Sequence, residues 1–390
     1  MKQLKWHLPT IVILLMILMN ACSFSVEVLP TSAEFLSTPT STPPAADSIT
    51  PTFTPAVPTP VLPALTATLI PIRADTVSML ERFMGVGGGE PVRSLAFTPD
   101  GAVLASAGGD SEDFAIHVWE VTSGRAIGTL SGHSNIVWDM AFSPDGQTLV
   151  TVSSDRTAKI RDWRNGDILE SLDFPGEVVS VRFSPDGQSL AVGGVDQLQN
   201  QIQHATIWTF SAGSWEPRLK FPEYLNIAAM AYSPDGRWLV GGGTSRNVQV
   251  WRTSDGSQVF TLSHAHQVSK AAISPDSSTV ATMTCETVVN EECTRGGVWL
   301  WDLPTGRLIR KLGGFEDIVE TVTFSPDGST LLTGSRRGLL RFYNTSDYQT
   351  LFEFSSPGGI TALTLSPDGG LLAISNINGE VHIWKVVYHP

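Results

Sequence analysis

The sequence is poor in what most enzymes and nucleic-acid binders need. It holds three cysteines in 390 residues, too few for a disulfide framework or a Cys-rich metal cluster to organise the chain. Charged residues make up 16%, with 25 Lys plus Arg against 38 Asp plus Glu. A net charge of -13 argues against nucleic acid, which needs a concentrated basic surface. There is no Gly-x-Ser-x-Gly elbow, no His-Glu-x-x-His and no phosphate loop. Gly85-Val-Gly-Gly-Gly89 lacks the Lys and helix of a nucleotide site and reads as a flexible link. No cofactor is expected. No long stretch keeps a helical period. The apolar run Leu8 to Met19 is about a dozen residues, short of the roughly 20 that span a bilayer.

Turn residues, in contrast, are plentiful: 35 Gly and 25 Pro. They are organised by one pentapeptide. It stands at Phe97-Thr-Pro-Asp-Gly101, Phe142-Ser-Pro-Asp-Gly146, Phe183-Ser-Pro-Asp-Gly187 and Tyr232-Ser-Pro-Asp-Gly236. It continues at Ile273-Ser-Pro-Asp-Ser277, Phe324-Ser-Pro-Asp-Gly328 and Leu365-Ser-Pro-Asp-Gly369. The steps between prolines are 45, 41, 49, 41, 51 and 41, a period that marks a repeat architecture. Pro presets φ for a turn, Asp bonds its own backbone and Gly supplies positive φ. Each copy is therefore a turn between two strands. Apolar residues recur seven, four and two places before each proline, as in Val137, Met140 and Phe142. After the turn comes an apolar strand, then one ending in Trp at 119, 208, 251, 301 and 384, then a fourth. Tyr343 takes the Trp place in one copy. Arg161 takes it in another, with Trp163 displaced by two.

On these turns, the Trp-ended strands and Leu130-Ser-Gly-His133, residues from about 75 to 390 resemble a WD40 repeat protein. The resemblance implies an all-β, seven-bladed β-propeller of four-stranded antiparallel blades round a channel. The last copy stops after its third strand, and Thr76 to Phe83 precedes the first. By resemblance this N-terminal strand closes the last blade and removes a free sheet edge. TolB-like propellers also carry Ser-Pro-Asp-Gly turns, but the Trp-ended strands favour WD40.

From the repeat proline to the Trp place is 17 residues in blades 2, 4, 6 and 7, but 20, 23 and 26 in blades 1, 3 and 5. All three insertions fall between second and third strands, on the face the family also uses for its inter-blade links. They are loops round Asp110, Glu112 and Asp113, round Asp196 to His204, and round Cys285 to Gly297. Loops carry binding residues more often than scaffolds do. Fourteen acids against five arginines are expected on this face, enough to steer a basic partner. Six places before each proline stand Arg93, Trp138, Val179, Ala228, Ser269, Glu320 and Thr361, with Asp139 and Lys270 one place on. By resemblance these line the channel entrance. Trp138 is the expected anchor. Cys285 and Cys293 bracket the blade 5 insertion and are expected to pair outside the cytoplasm. His264-Ala-His266 and Asp110-Ser-Glu-Asp113 have metal-binding donors. However, His264 holds a repeat place and the second lacks the spacing of an EF-hand loop, so no metal site is expected.

The N-terminus resembles a bacterial lipoprotein signal: Lys2 and Lys5, the apolar run, then Leu18-Met-Asn-Ala-Cys22. That implies cleavage before Cys22 and a lipid on it. Residues 22–73, with Pro interleaved with Thr and Ser, read as an extended tether. The expected plan is signal 1–21, tether 22–73 and propeller 74–390. The expected function is a non-catalytic, monomeric scaffold at the bacterial cell membrane, anchored at Cys22 on the extracytoplasmic side, binding an unknown protein partner. An enzyme or small-ligand sensor at the channel mouth is the alternative.

Overall fold

The computed structural model describes residues 71–73, 75–76, 80–87, 90–109, 114–195, 206–211, 213–220, 227–243, 246–290 and 292–386. Cys22, the tether up to residue 70, Asp110, Glu112, Asp113 and the Asp196 to His204 insertion lie outside them. The described residues form seven four-stranded antiparallel sheets and no helix. In blade 2 the strands are Val137–Phe142, Thr148–Ser153, Thr157–Asp162 and Ile168–Asp173, from inside out. The first strand of every blade packs against the first strands of its two neighbours, and the seventh meets the first. Seven first strands thus ring a central channel.

The turn chemistry sets this geometry. In blade 2, Gly146 N donates to Ser143 O (2.8 Å). Ser143 Oγ donates to Asp145 Oδ1 (2.5 Å), which also accepts Gln147 N (3.0 Å). The hydroxyl bond holds the Asp145 carboxyl below its ordinary value, and the same bond does so for Asp100, Asp186 and Asp276. Turn also meets turn: a Cβ on Gly146 would lie 3.3 Å from the Pro99 ring. Ser277, which replaces Gly in blade 5, still adopts φ 60. Its Oγ accepts Asp235 N (3.1 Å) from the blade 4 turn, a bond glycine could not offer.

Leu80–Gly87 forms the outer strand of blade 7, pairing Leu80 with Val386 and Gly87 with Glu380. Closure is as expected, but the strand lies further along the chain. It takes in Gly85 to Gly87, read above as a link, because their backbone groups still pair with His382, Val381 and Glu380. The folded region also starts before the expected boundary. Ile72 is buried among Leu332, Phe342 and Leu372, and its N donates to Gly369 O (2.7 Å). Arg73 pairs with Asp327 (3.2 Å). The chain therefore enters the propeller beside the turns of blades 6 and 7.

Each blade core comes from residues alternating inward along its strands, such as Val150, Val152, Ala158 and Ile160 against Val178 and Val181 of the next blade. This alternation leaves the intervening residues of the first strands to face the channel.

Candidate functional site

The mouth of the channel has one repeated device. The register of the first strand slips in six blades, skipping Arg93, Trp138, Val179, Ala228, Ser269 and Glu320. Each is the extra residue of a β-bulge. A bulge bends the strand and re-aims one side chain, so the backbone repeats while the side chain at this place varies. In blade 7 the equivalent Thr361 precedes the strand and its Oγ1 bonds Ser375 Oγ (2.9 Å).

Three of these side chains interact across blades or within them. The Arg93 guanidinium lies 4.7 Å from the Trp138 ring centroid, a cation–π contact between blades 1 and 2. Trp138 Nε1 donates to Ser154 Oγ (2.7 Å), and Ser154 Oγ donates to Glu177 Oε2 (3.0 Å) of blade 3. Glu320 accepts Arg336 Nε (2.6 Å).

Asp139 and Lys270, one place further in, differ from one another. Asp139 is committed internally: its oxygens accept Ser94 Oγ (3.2 Å), Met140 N (3.0 Å), Val181 N (3.1 Å) and Arg182 Nη1. It ties blades 1, 2 and 3 together. Lys270 makes no hydrogen bond or ion pair with any described residue. Burial pushes its ammonium below the ordinary lysine value, with Asp139 and Glu320 pulling the other way. Arg182, three places before its proline, was not singled out from the sequence. It reaches Asp139 because that place faces the channel.

Blade 5 carries the second feature. Its insertion, read as a loop, is a strand extension. Thr279–Val289 and Glu292–Asp302 pair as far as Val289 with Glu292. Their pairing to the flanking strands ends at Thr284 and Val298. The arm beyond is closed by Cys285 and Cys293, with Sγ atoms 2.13 Å apart and Cα atoms 5.7 Å apart. Val288 and Val289 near its tip are 41% and 51% exposed. β-Branched residues flank the arm's turn and nothing in the repeat forbids continued pairing; an insertion count alone cannot distinguish loop from hairpin.

Beneath this face lie two histidines eleven places before their prolines. His264 Nε2 is 2.8 Å from Thr282 Oγ1, which also accepts Trp301 Nε1 (3.0 Å). Burial pushes the His264 imidazole down to about 4. His133 makes the matching contact with Thr151 Oγ1 (2.8 Å) and another with Asp155 Oδ2 (2.7 Å). In that blade Arg161 replaces the Trp and is fully buried. Arg161 Nη1 donates to Ser131 O (2.6 Å), while Nε and Nη2 have no partner among the described residues. Burial pushes it down to about 10. The displaced Trp163 donates its Nε1 to Gly146 O (3.0 Å) at the turn.

These networks revise the expected acidic rim. Asp155 and Asp317 are two of the fourteen acids expected there, but the Asp155 side chain is buried against His133 and Asp317 is buried, accepting Arg337 N (2.5 Å). Six of the counted acids, Asp110, Glu112, Asp113, Asp196, Glu223 and Glu291, lie outside the described residues. Among the described residues, no group of three His, Cys, Asp or Glu is placed to hold a metal.

The family model for the WD domain, G-beta repeat, matches residues 83–120, 124–162, 168–198, 215–252, 306–344 and 348–385. The chain is a WD40 repeat protein. Five of the six matched units of this WD40 protein begin on the outer strand of one blade and end on the third strand of the next, the offset that closes the ring, while 168–198 ends before the third strand of blade 3. They leave out 253–305, the stretch holding Ser277 and the arm. The protein is 26% identical to the anaphase-promoting complex subunit cdh1 of Dictyostelium discoideum, over 72% of this chain and 40% of that one. It is 28% identical to the serine-threonine kinase receptor-associated protein of Gallus gallus, over 67% of this chain and 81% of the relative. It is 24% identical to the guanine nucleotide-binding protein subunit beta-1 of Nicotiana tabacum, over 66% and 70%. The chain thus spans well under two thirds of the Dictyostelium protein and more of the other two.

Proposed function

We propose that this WD40 protein is a non-catalytic scaffold that docks a protein partner on the face bearing the channel mouth and the blade 5 arm. The observation that carries this reading is the ring of bulges. One backbone device presents Arg93, Trp138, Ser269 and Glu320, side chains of quite different character, at a single mouth. The arm adds exposed Val288 and Val289 beside it. Aromatic and arginine anchors carry much of the energy in many interfaces. The names of the relatives agree: a complex subunit, a receptor-associated protein and a further subunit.

The lipid on Cys22 and the extracytoplasmic location belong to the same proposal. Leu18-Met-Asn-Ala-Cys22 supports the anchor, and the Cys285–Cys293 pairing suits an oxidising compartment. Crosslinking in cells tests the scaffold reading. The native chain should trap a discrete partner that a Trp138→Ala, Glu320→Ala variant of equal abundance does not trap. Equal trapping by both would remove the mouth from the interface. Cys22→Ser should move the protein from the membrane to the soluble fraction.

A further inference from the structure

We propose that copies of this chain associate edge to edge, the outer strand of blade 5 on one copy against the outer strand of blade 2 on the next. The outer strand of each blade ends its sheet and leaves a row of backbone N–H and C=O groups unpaired. Two of the seven differ from the rest. The blade 5 strand, Arg307–Leu312, carries Arg307, Arg310 and Lys311 and no acid. The blade 2 strand, Ile168–Asp173, carries Glu170 and Asp173 and no base, with exposed Asp167 just before it. The outer strands of blades 1 and 4 hold no charge, and those of blades 3, 6 and 7 have a net charge of one at most. The same two strands expose adjacent apolar pairs. Ile168 and Leu169 are 44% and 59% exposed, Leu308 and Ile309 42% and 47%. These are half of the large apolar side chains exposed among the described residues, and pairing the two edges covers all four.

Charge of one sign protects an edge against its like. Opposite signs on two edges of one chain remove that protection between them. The spacing also fits. Arg307 and Arg310 stand three places apart, as do Glu170 and Asp173, so either strand direction sets two opposite charges across from each other. Cross-strand pairs of opposite charge stabilise a sheet. Arg307 and Asp173 are exposed and make no side-chain hydrogen bond or ion pair with any described residue. Glu170 already accepts Trp215 N of blade 3 (3.2 Å), Arg310 donates to Asp347 O, and Lys311 Nζ lies 3.4 Å from the Trp299 ring centroid. Arg307 and Asp173 are therefore the free pair. The blades stand three steps apart round the ring of seven, so the contact is head to tail and adds copy after copy. Two short edges make a small interface, which sets the association at the weak end. The single copy expected from the sequence would then hold only in dilute solution. The contact uses neither the channel mouth nor the arm, so it stands or falls apart from the scaffold reading.

Sedimentation of the purified full chain tests this. The mean mass should rise with protein concentration at low salt and fall back at high salt, because exposed charges are screened. Arg307→Glu with Arg310→Glu, and separately Glu170→Lys with Asp173→Lys, should each weaken association at least about tenfold, since like charges then meet. Asp173→Lys alone, which spares the Glu170 contact to blade 3, should lose part of it. Mixing the two double variants should restore association, because each reversed edge then meets its opposite and the two unreversed edges still match. Recovery on mixing requires both variants to be folded, so it separates lost contact from lost structure. A native chain that stays single at every concentration, association that no reversal weakens, or loss in Asp173→Lys and both double variants without recovery on mixing would overturn the proposal. So would a chain that stays single yet binds phosphatidylglycerol vesicles, or a synthetic acidic peptide, through Arg307 and Arg310.

Discussion

The two ends of the channel are built on opposite principles. At the turn face the seven blades do nearly the same thing. Ser or Thr bonds Asp, Asp bonds the backbone two places on, and the fourth residue packs against the neighbouring turn. At the loop face the backbone repeats but the side chains do not. Six bulges present Arg, Trp, Val, Ala, Ser and Glu. The comparison teaches that the sequence's most recognisable feature is scaffold. What is particular to this protein stands where the repeat permits variation.

If that division is right, damage to the two faces should separate stability from binding. A large stability effect is expected at a turn. Gly146→Val places a β-branched side chain at φ 69 with its Cβ 3.3 Å from Pro99. It should cost about 2–3 kcal/mol in denaturant unfolding, while the protein that remains folded binds as before.

His264 tests the supports beneath the loop face. Its titration lies near 4 in the folded chain, against about 6.5 when unfolded. A depressed value means the stabilisation is present above about pH 6.5 and is lost as pH falls through about 4. The linked loss is about 3 kcal/mol, and the slope of stability against pH should flatten in His264→Gln. At lower pH the turn carboxylates continue the loss. Their folded values are depressed, so their contribution is present above about pH 4 and disappears as each protonates.

The paired cysteines should matter locally. Replacing Cys285 and Cys293 with serine should speed amide exchange and proteolysis of the arm, at about 1–2 kcal/mol of local opening energy, and barely move the global midpoint. The smallest effect is expected at Ser277→Gly. It relieves a non-glycine φ of 60 but loses the bond from Asp235 N, so the net change should lie within about 0.5 kcal/mol.

Much of the architecture was legible because the turn proline fixes phase. Counting back from Pro144 or Pro326 locates Trp138 and Glu320 at the mouth without any coordinates. The bulge that aims them was not legible, because it is a property of register between strands and leaves no residue signature here. Gly85 to Gly87 looked like a link, yet glycine at an edge still offers its backbone for pairing. Ile72 sat in a Pro- and Thr-rich stretch whose composition hid one apolar contact. Asp155 reads as surface charge in the sequence, because nothing there shows that His133, 22 residues earlier, packs against it.

The most direct test of the division between faces is the affinity of the crosslinked partner, once isolated, for two purified variants. One carries Trp138→Ala and Glu320→Ala at the mouth, the other Trp163→Ala and Arg164→Ala at the turn face. The loop-face account predicts at least about tenfold weaker binding for the first, as for loss of an aromatic anchor, and native affinity for the second. Native affinity for the mouth variant with weakened binding for the turn variant would contradict it.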